Sequence, residues 1–200
     1  MSTPVGAVPS ARERILGAAS ELFYARGINA TGVDAVIERA GTAKASLYNN
    51  FDGKDDLVVA YLEAARERWY REVSELDRPD ASRVERLDVV FAALERHVAS
   101  KDFHGCPFIA ALSEFPESDE VRAAVARYRA TLLDRFGEIL GLSSGDTLVV
   151  EMGLLYDGAL TSAKITRGLD GVRVARALAG KLAAHHESAA LETCRRTRGH

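Results

Sequence analysis

The sequence predicts an all-α fold of about nine helices, and three observations carry that expectation. Apolar residues recur at intervals of three and four along most of the chain, the spacing of one helix face. Capping residues and glycine or proline stops punctuate those stretches. No alternation of apolar and polar residues runs long enough to form a strand. The 200 residues suit one domain or two small ones, and folding should bury roughly 70% of the unfolded surface.

The elements follow in order. Residues 1–10 hold two prolines and small residues without periodicity, which predicts a flexible arm. From Ala11, apolar residues fall at Ile15, Leu16, Ala19, Leu22 and Phe23, and Gly27 supplies the stop. Thr31 suits an N-cap, with Asp34 three residues on, before a short helix carrying Val33, Val36, Ile37 and Ala40. Gly41 ends it, and Thr42 can cap another short helix running to about Asn50. Asp52 can cap a long fourth helix, whose side with Leu57, Tyr61, Leu62, Ala65 and Trp69 reaches into the 70s before Pro79.

Ser82-x-x-Glu85 is a capping box ahead of Leu87, Val90, Phe91, Leu94 and Val98. Cys106-Pro107 opens a short apolar segment, Phe108–Leu112, which Pro116 breaks. Val121, Val125, Tyr128, Leu132, Phe136 and Ile139 mark the next helix, closed by Gly141. The turn 143–146 leads into a broadly apolar helix over 147–166 with Gly168 as its stop. Asp170 can cap a last helix over 172–186, and the polar, basic end from 189 to 200 reads as a flexible tail.

Composition narrows the function classes. Apolar residues make up 47% and charged residues 28%, an ordinary balance for a soluble protein. No apolar run reaches the ~18 residues of a membrane span, and the start MSTPVGAVPSARER lacks the apolar core of a signal peptide. A cytoplasmic location without membrane association is expected. Cys106 and Cys194 lie far apart, so no structural disulfide is expected in a reducing compartment. The formal net charge of −3 is not that of a strongly basic chain.

The informative stretch is Thr31–Phe51, two short helices joined by a tight turn containing glycine, the helix-turn-helix layout. On a wheel of ~100° per residue, Leu47 and Phe51 share the inner face of the second helix, with Ala43 beside them. Ala45 and Asn49 point outward, flanked by Ser46 and Tyr48, with Lys44 on the first turn. Those residue types suit a duplex. Asn49 can pair with an adenine edge, and Ala45 can touch a thymine methyl. Lys44, Ser46 and Tyr48 can bond phosphates and fix register.

Lys54 can reach a phosphate beside the free N–H groups of its helix, and Thr31 can do the same one helix earlier. Arg12 and Arg14, at the edge of the arm, can grip the backbone. Up to residue 56 the six bases (Arg12, Arg14, Arg26, Arg39, Lys44, Lys54) meet seven acids, so binding would rest on where the cations sit. Short helix pairs with glycine turns also occur in helical proteins that bind no DNA. Thr31 and Asp52 are equally explained as caps, and Tyr48 as a half-buried aromatic.

The segment ARERILGAASELF, then Gly27 and Thr31, then AGTAKASLYNNFDGKDDLVVAYLEA, resembles the N-terminal domain of the TetR/AcrR family of transcriptional regulators. The resemblance covers about residues 11–65. It implies that Lys44, Ala45, Ser46, Tyr48 and Asn49 are recognition-helix contacts and that Lys54 and Thr31 contact phosphates. Three departures bear on the operator sequence: Gly32 in place of a hydroxyl or small polar residue, Asn49-Asn50 in place of an aromatic or histidine pair, and Asp52-Gly53 in place of Pro-Ser or Pro-Asn.

The resemblance further implies a helix-turn-helix domain over 11–55. A helical bundle over 56–188 would hold a cavity for a small-molecule effector and form a homodimer through the last two helices. A ligand-released repressor on a palindromic operator is the function it implies. Residues that could line the cavity are Trp69, Phe91, His97, Phe108, Phe115, Tyr128, Met152 and Tyr156, although aromatics at helical spacing are more often core. Small residues, among them Gly153, Gly158, Ala159, Ala163, Ala175, Ala177 and Ala179, fit close helix packing, whether in a dimer or within one chain.

No nucleophile–base pair, metal motif or phosphate loop stands out, so no catalytic residue, metal or cofactor is expected. His97, His104 and Cys106 are too few for a usual soft-metal site. Two other readings stay open: an enzyme using the helical cavity, and a helical adaptor whose first domain binds protein.

Overall fold

The computed structural model describes the backbone of residues 9–198 and the side chains of residues 9–189. Among the described residues there are nine helices and no strand. None of those helices is long and apolar enough to cross a membrane. The expected arm, apart from Pro9 and Ser10, and the side chains of the expected tail beyond Ala189, including Cys194, lie outside the described residues.

The chain divides into two compact units. The first takes in the described residues through Ala65 together with Pro107–Val125; the second takes in Arg66–Cys106 and the residues from Ala126 onward. The sequence placed a boundary near residue 55 and a single contiguous second domain. The division instead falls inside α4 (Lys54–Leu76) and inside α7 (Asp119–Leu140). It gives the first unit a later segment, α6 (Pro107–Glu114), with its own buried residues Phe108 and Ala111.

In the first unit, α1 (Ala11–Arg26) starts at a capping box. The Ser10 hydroxyl accepts the Glu13 N–H at 3.2 Å while the Glu13 carboxylate accepts the Ser10 N–H at 2.7 Å. Its apolar stripe, Ile15, Ala18, Ala19, Leu22 and Phe23, is buried, at about 1.5–3 kcal/mol for each large side chain. That stripe packs against α2 (Val33–Ala40) and α3 (Lys44–Tyr48). The α2 helix stops at Gly41, whose left-handed backbone (φ 59°) suits a residue without Cβ. The Phe23 ring meets Tyr61 of α4 edge-on at 5.6 Å.

Several caps differ from those expected. The N-cap of α2 is Gly32, with no side-chain bond, and that of α3 is Ala43, also without one. Thr31 is buried (2% exposed), its hydroxyl donating to the Gly27 carbonyl at 2.8 Å. The hydroxyl of Thr42 is buried without a partner among the described residues. At α4 the bond runs opposite to a cap by Asp52: the Asp52 N–H donates to the Asp56 carboxylate at 3.2 Å.

The second unit packs the rest of α4 and α7 with α5 (Arg83–Ala99), α8 (Thr147–Thr166) and α9 (Asp170–Arg198). Its core includes Leu87, Phe91, Leu132, Phe136, Val149, Met152 and Tyr156. The expected capping box at Ser82–Glu85 is present, and Asp146, in the expected turn and cap, accepts the Leu148 N–H at 2.9 Å. The α8 helix ends not at Gly168 but at Arg167, held in the left-handed region at φ 53°. The α9 backbone runs to Arg198, past the expected tail boundary, because no glycine or proline follows Gly180 until Gly199.

Candidate nucleic-acid interface

The second helix of the helix-turn-helix pair is short, and two side chains anchor it. Leu47 is fully buried and Phe51, just past its end, is 2% exposed. The Phe51 ring also lies 4.4 Å beneath the Arg12 guanidinium. With these anchors fixed, the 100° periodicity turns the rest of α3 outward. Ala45 and Asn49 are exposed, Ser46 is half-buried, and Tyr48 is 53% exposed. Its side chain is therefore no half-buried core aromatic. The Asn49 backbone N–H is tied to the Ala45 carbonyl at 2.9 Å. Its amide side chain makes no hydrogen bond among the described residues, so both its donors and its acceptor remain available to a base edge.

The cations are arranged less simply. Lys44 Nζ lies 3.0 Å from Asp34 Oδ1, an exposed pair. Hydrogen bonding to Asp34, reinforced by that carboxylate's charge, raises the Lys44 pKa and keeps the ammonium charged. A phosphate at Lys44 must compete with Asp34. Lys54, half-buried in the first turn of α4, forms no ion pair among the described residues. Arg14 Nη1 donates to the Pro9 carbonyl at 2.8 Å, so Arg12 and Arg14 belong to the first turn of α1 and not to an arm.

Thr31 is the correction. Its hydroxyl faces the protein, bonded to Gly27, and its N–H is bonded to the Ile28 carbonyl at 3.2 Å. It supports the turn after α1 and offers a phosphate neither donor.

A contact that sequence reasoning missed steadies the same turn. The Glu114 carboxylate, at the end of α6, accepts the backbone N–H of Ile28 at 3.1 Å and that of Asn29. The Asn29 side chain returns a bond to the Glu114 carbonyl at 3.3 Å. Two N–H groups at the end of α1 thus meet one charge, across more than eighty residues of sequence. No local pattern announces such a pairing.

The expected effector residues separate into groups. Trp69, Phe91, Tyr128, Met152 and Tyr156 are gathered in the second unit. Trp69 meets Tyr128 and Tyr156 edge-on at 6.0 and 6.2 Å, and Phe91 meets Tyr156 at 6.1 Å. The Trp69 indole N–H donates to the Tyr156 hydroxyl at 2.9 Å. Burial pushes the Tyr128 and Tyr156 hydroxyls far above the usual phenol range, so both stay neutral hydrogen-bonding groups.

Arg129 of α7 pairs with Asp157 of α8 at 2.6 Å, and burial raises the Asp157 pKa. Gly153, one turn earlier on α8, leaves room for the Arg129 guanidinium, which a Cβ there would meet at 2.8 Å. His97 stands apart on the exposed side of α5, edge-on to Phe103 at 5.5 Å. Phe108 and Phe115 belong to the first unit. Among the described residues no group of three His, Cys, Asp or Glu side chains is placed to hold a metal ion.

An all-helical chain that presents the second helix of such a pair, with an amide and a phenol turned to solvent, has the layout of a helix-turn-helix DNA-binding regulator of transcription. The family profile of bacterial regulatory proteins, tetR family, matches residues 15–61. The crystal structure of a tetR-type transcriptional regulator from Streptomyces avermitilis is 32% identical, covers 82% of this chain and 91% of its own, and superposes with a TM-score of 0.68. A TetR-family regulator from Streptomyces coelicolor is 29% identical over 89% of both chains, with a TM-score of 0.75. The transcriptional repressor KstR2 of Mycobacterium tuberculosis is 30% identical over 103 residues, 50% of this chain and 52% of that protein. The chain belongs to the TetR family of bacterial transcriptional regulators.

Proposed function

We propose that this regulator is a cytoplasmic repressor that binds a palindromic operator as a homodimer and leaves it when a small molecule enters the second unit. The observation that carries the DNA half is the outward face of α3. Ala45, Tyr48 and Asn49 stand exposed there while Leu47 and Phe51 hold the helix from within. Asn49 and Ala45 would read bases; Lys44, Ser46, Tyr48 and Lys54 would set register on phosphates. Likeness to the repressor KstR2 over part of the chain favours repression.

Support for the homodimer comes from α8 and α9. Leu154 and Ile165 are 62% and 76% exposed, and Val174 and Leu178 are 66% and 41% exposed. Leu154, Gly158, Thr161 and Ile165 follow one another at four, three and four residues, a single stripe on α8. Large aliphatic side chains left in water on neighbouring helices favour a second copy that covers them. Two reading helices must then sit ~34–36 Å apart to enter successive major grooves.

The effector would act by its differential affinity for the dimer state with that spacing and the state without it. The Trp69–Tyr128–Tyr156 cluster, with its neutral hydroxyls and the neighbouring Arg129–Asp157 pair, is the proposed place of binding.

Repeated selection of random duplexes on the full chain tests the reading. Enrichment of one palindromic sequence is the expected result. Recovery of unenriched DNA, or of none, at every salt concentration up to physiological overturns it. A reporter fused to the enriched sequence should fall when the protein is expressed and recover when effector is added.

A further inference from the structure

A cleft in the second unit lies apart from the aromatic cluster. It opens where α5 and α8 end, has a volume of about 650 Å³, and shares no lining residue with that cluster. That volume is within the range of small-molecule sites. One side of its lining carries the cations Lys164 and Arg167 with the His104 imidazole, and another is apolar, with Val98, Phe103 and Leu169. No Asp or Glu lines it, although the chain carries 29 acidic and 26 basic residues.

Its cations differ from those nearby. On α9, Arg173 pairs with Glu95 at 2.8 Å and Arg176 pairs with both Asp88 and Glu95, so the adjoining α5–α9 surface is neutralised pair by pair. Lys164 and Arg167 form no ion pair among the described residues.

Two backbone features hold them in place. Gly105 lies against the Lys164 stem, where a Cβ would come within 3.2 Å of Cδ. Arg167 is the one non-glycine residue with positive φ among the described residues, in a conformation that the next residue, Gly168, would adopt with less strain. The dipole at the end of α8 favours basic residues there. It does not explain His104, which comes from the segment after α5.

We infer that this cleft binds a small amphiphilic anion, an oxyanion head on an apolar body. The head would sit between Lys164 and Arg167, whose guanidinium fork matches a carboxylate or a phosphate. The body would lie against Val98, Phe103 and Leu169. The site needs neither the DNA reading nor the aromatic cluster.

Titration calorimetry on the full chain tests it, with octanoate and octyl phosphate as probes and octanol and octylammonium as controls. Both anions should bind, about tenfold or more tighter than octanol, with the better of the two naming the head group. Lys164→Gln with Arg167→Gln should remove that advantage and leave octanol binding unchanged; both side chains are exposed, and an unaltered melting curve confirms that the variant folds. Should Lys164→Gln with Arg167→Gln melt early, Arg167→Gly, which relieves the backbone, is to show the same loss. Failure of the anions to bind, binding no tighter than octanol, or undiminished binding to the folded variants overturns the proposal. DNA affinity does not enter the readout, so the two proposals fail separately.

Discussion

Thr31 and Asn49 show how differently two polar side chains of one small domain can be employed. The Thr31 hydroxyl is committed to the Gly27 carbonyl inside the protein, whereas the Asn49 amide stands in solvent. Thr31→Val keeps the shape and removes one hydrogen bond. It should lower stability by about 1 kcal/mol, measured by urea denaturation, and leave the DNA affinity of the folded protein unchanged. The Lys44–Asp34 pair gives the opposite expectation. Asp34→Asn frees the ammonium for a phosphate, so DNA affinity at low salt should rise and the salt slope should steepen by about one counterion, seen in a salt series of anisotropy titrations. Sequence placed Leu47, Asn49 and Tyr48 on the correct faces because periodicity alone decides that. It did not place Thr31, since a threonine before a helix serves equally as a cap or as a buried donor. At Ser10 the pattern Ser-x-x-Glu was present in the sequence, but prolines just before it read as an arm.

Two elements act as ties. The α6 helix joins the first unit through Glu114, whose carboxylate holds the amides of Ile28 and Asn29. Glu114→Gln removes the charge, and those two amides should exchange hydrogen about tenfold faster or more, as read by NMR, while amides in α8 stay as they were. In the second unit the end of α4 meets α5 and α7 at Asp77. Its carboxylate accepts from Arg86 at 2.8 and 2.9 Å and from Arg135 at 2.6 Å, and both Asp77 and Arg135 are nearly buried.

Hydrogen bonding from Arg86, then from Arg135, outweighs desolvation and lowers the Asp77 pKa. A carboxylate lowered on folding stabilises the protein above its unfolded pKa, about 3.9, and that stabilisation is lost as pH falls through the lower folded value. Acid unfolding below about pH 4 should therefore lose this contribution in wild type. Asp77→Asn should already be less stable at neutral pH, by about 3 kcal/mol, with a flatter acid limb in circular dichroism. Helix existence was legible throughout from the 3.6 period. Glu114 and the Asp77–Arg135 pair were not, because those partners lie far apart in sequence and no local pattern records them. Arg86, nine residues after Asp77, lies across the turn between two helices, outside any single-helix period.

At the scale of the whole molecule, the proposed association and DNA reading belong together, since one reading helix per chain would cover only half of a two-fold site. The exposed stripe of α8 makes the first part testable. Ile165→Glu puts a charge at a position that is 76% exposed, so the folded monomer should tolerate it. Sedimentation should then show a dimer for wild type and a monomer for the variant, and operator affinity should fall steeply. The small residues of α8 and α9 were visible in the sequence, but whether they face a neighbour in the same chain or in another could be judged only from exposure.

The most direct measurement for sequence-specific reading by α3 is the affinity of the full chain for its enriched duplex and for a scrambled one, with wild type and Asn49→Ala compared by anisotropy at physiological salt. Wild type should favour the enriched duplex by about a thousandfold or more. Asn49→Ala should lose about 1–3 kcal/mol on that duplex alone. Equal affinity of wild type for both duplexes, or an Asn49→Ala variant that binds and discriminates like wild type, would contradict it.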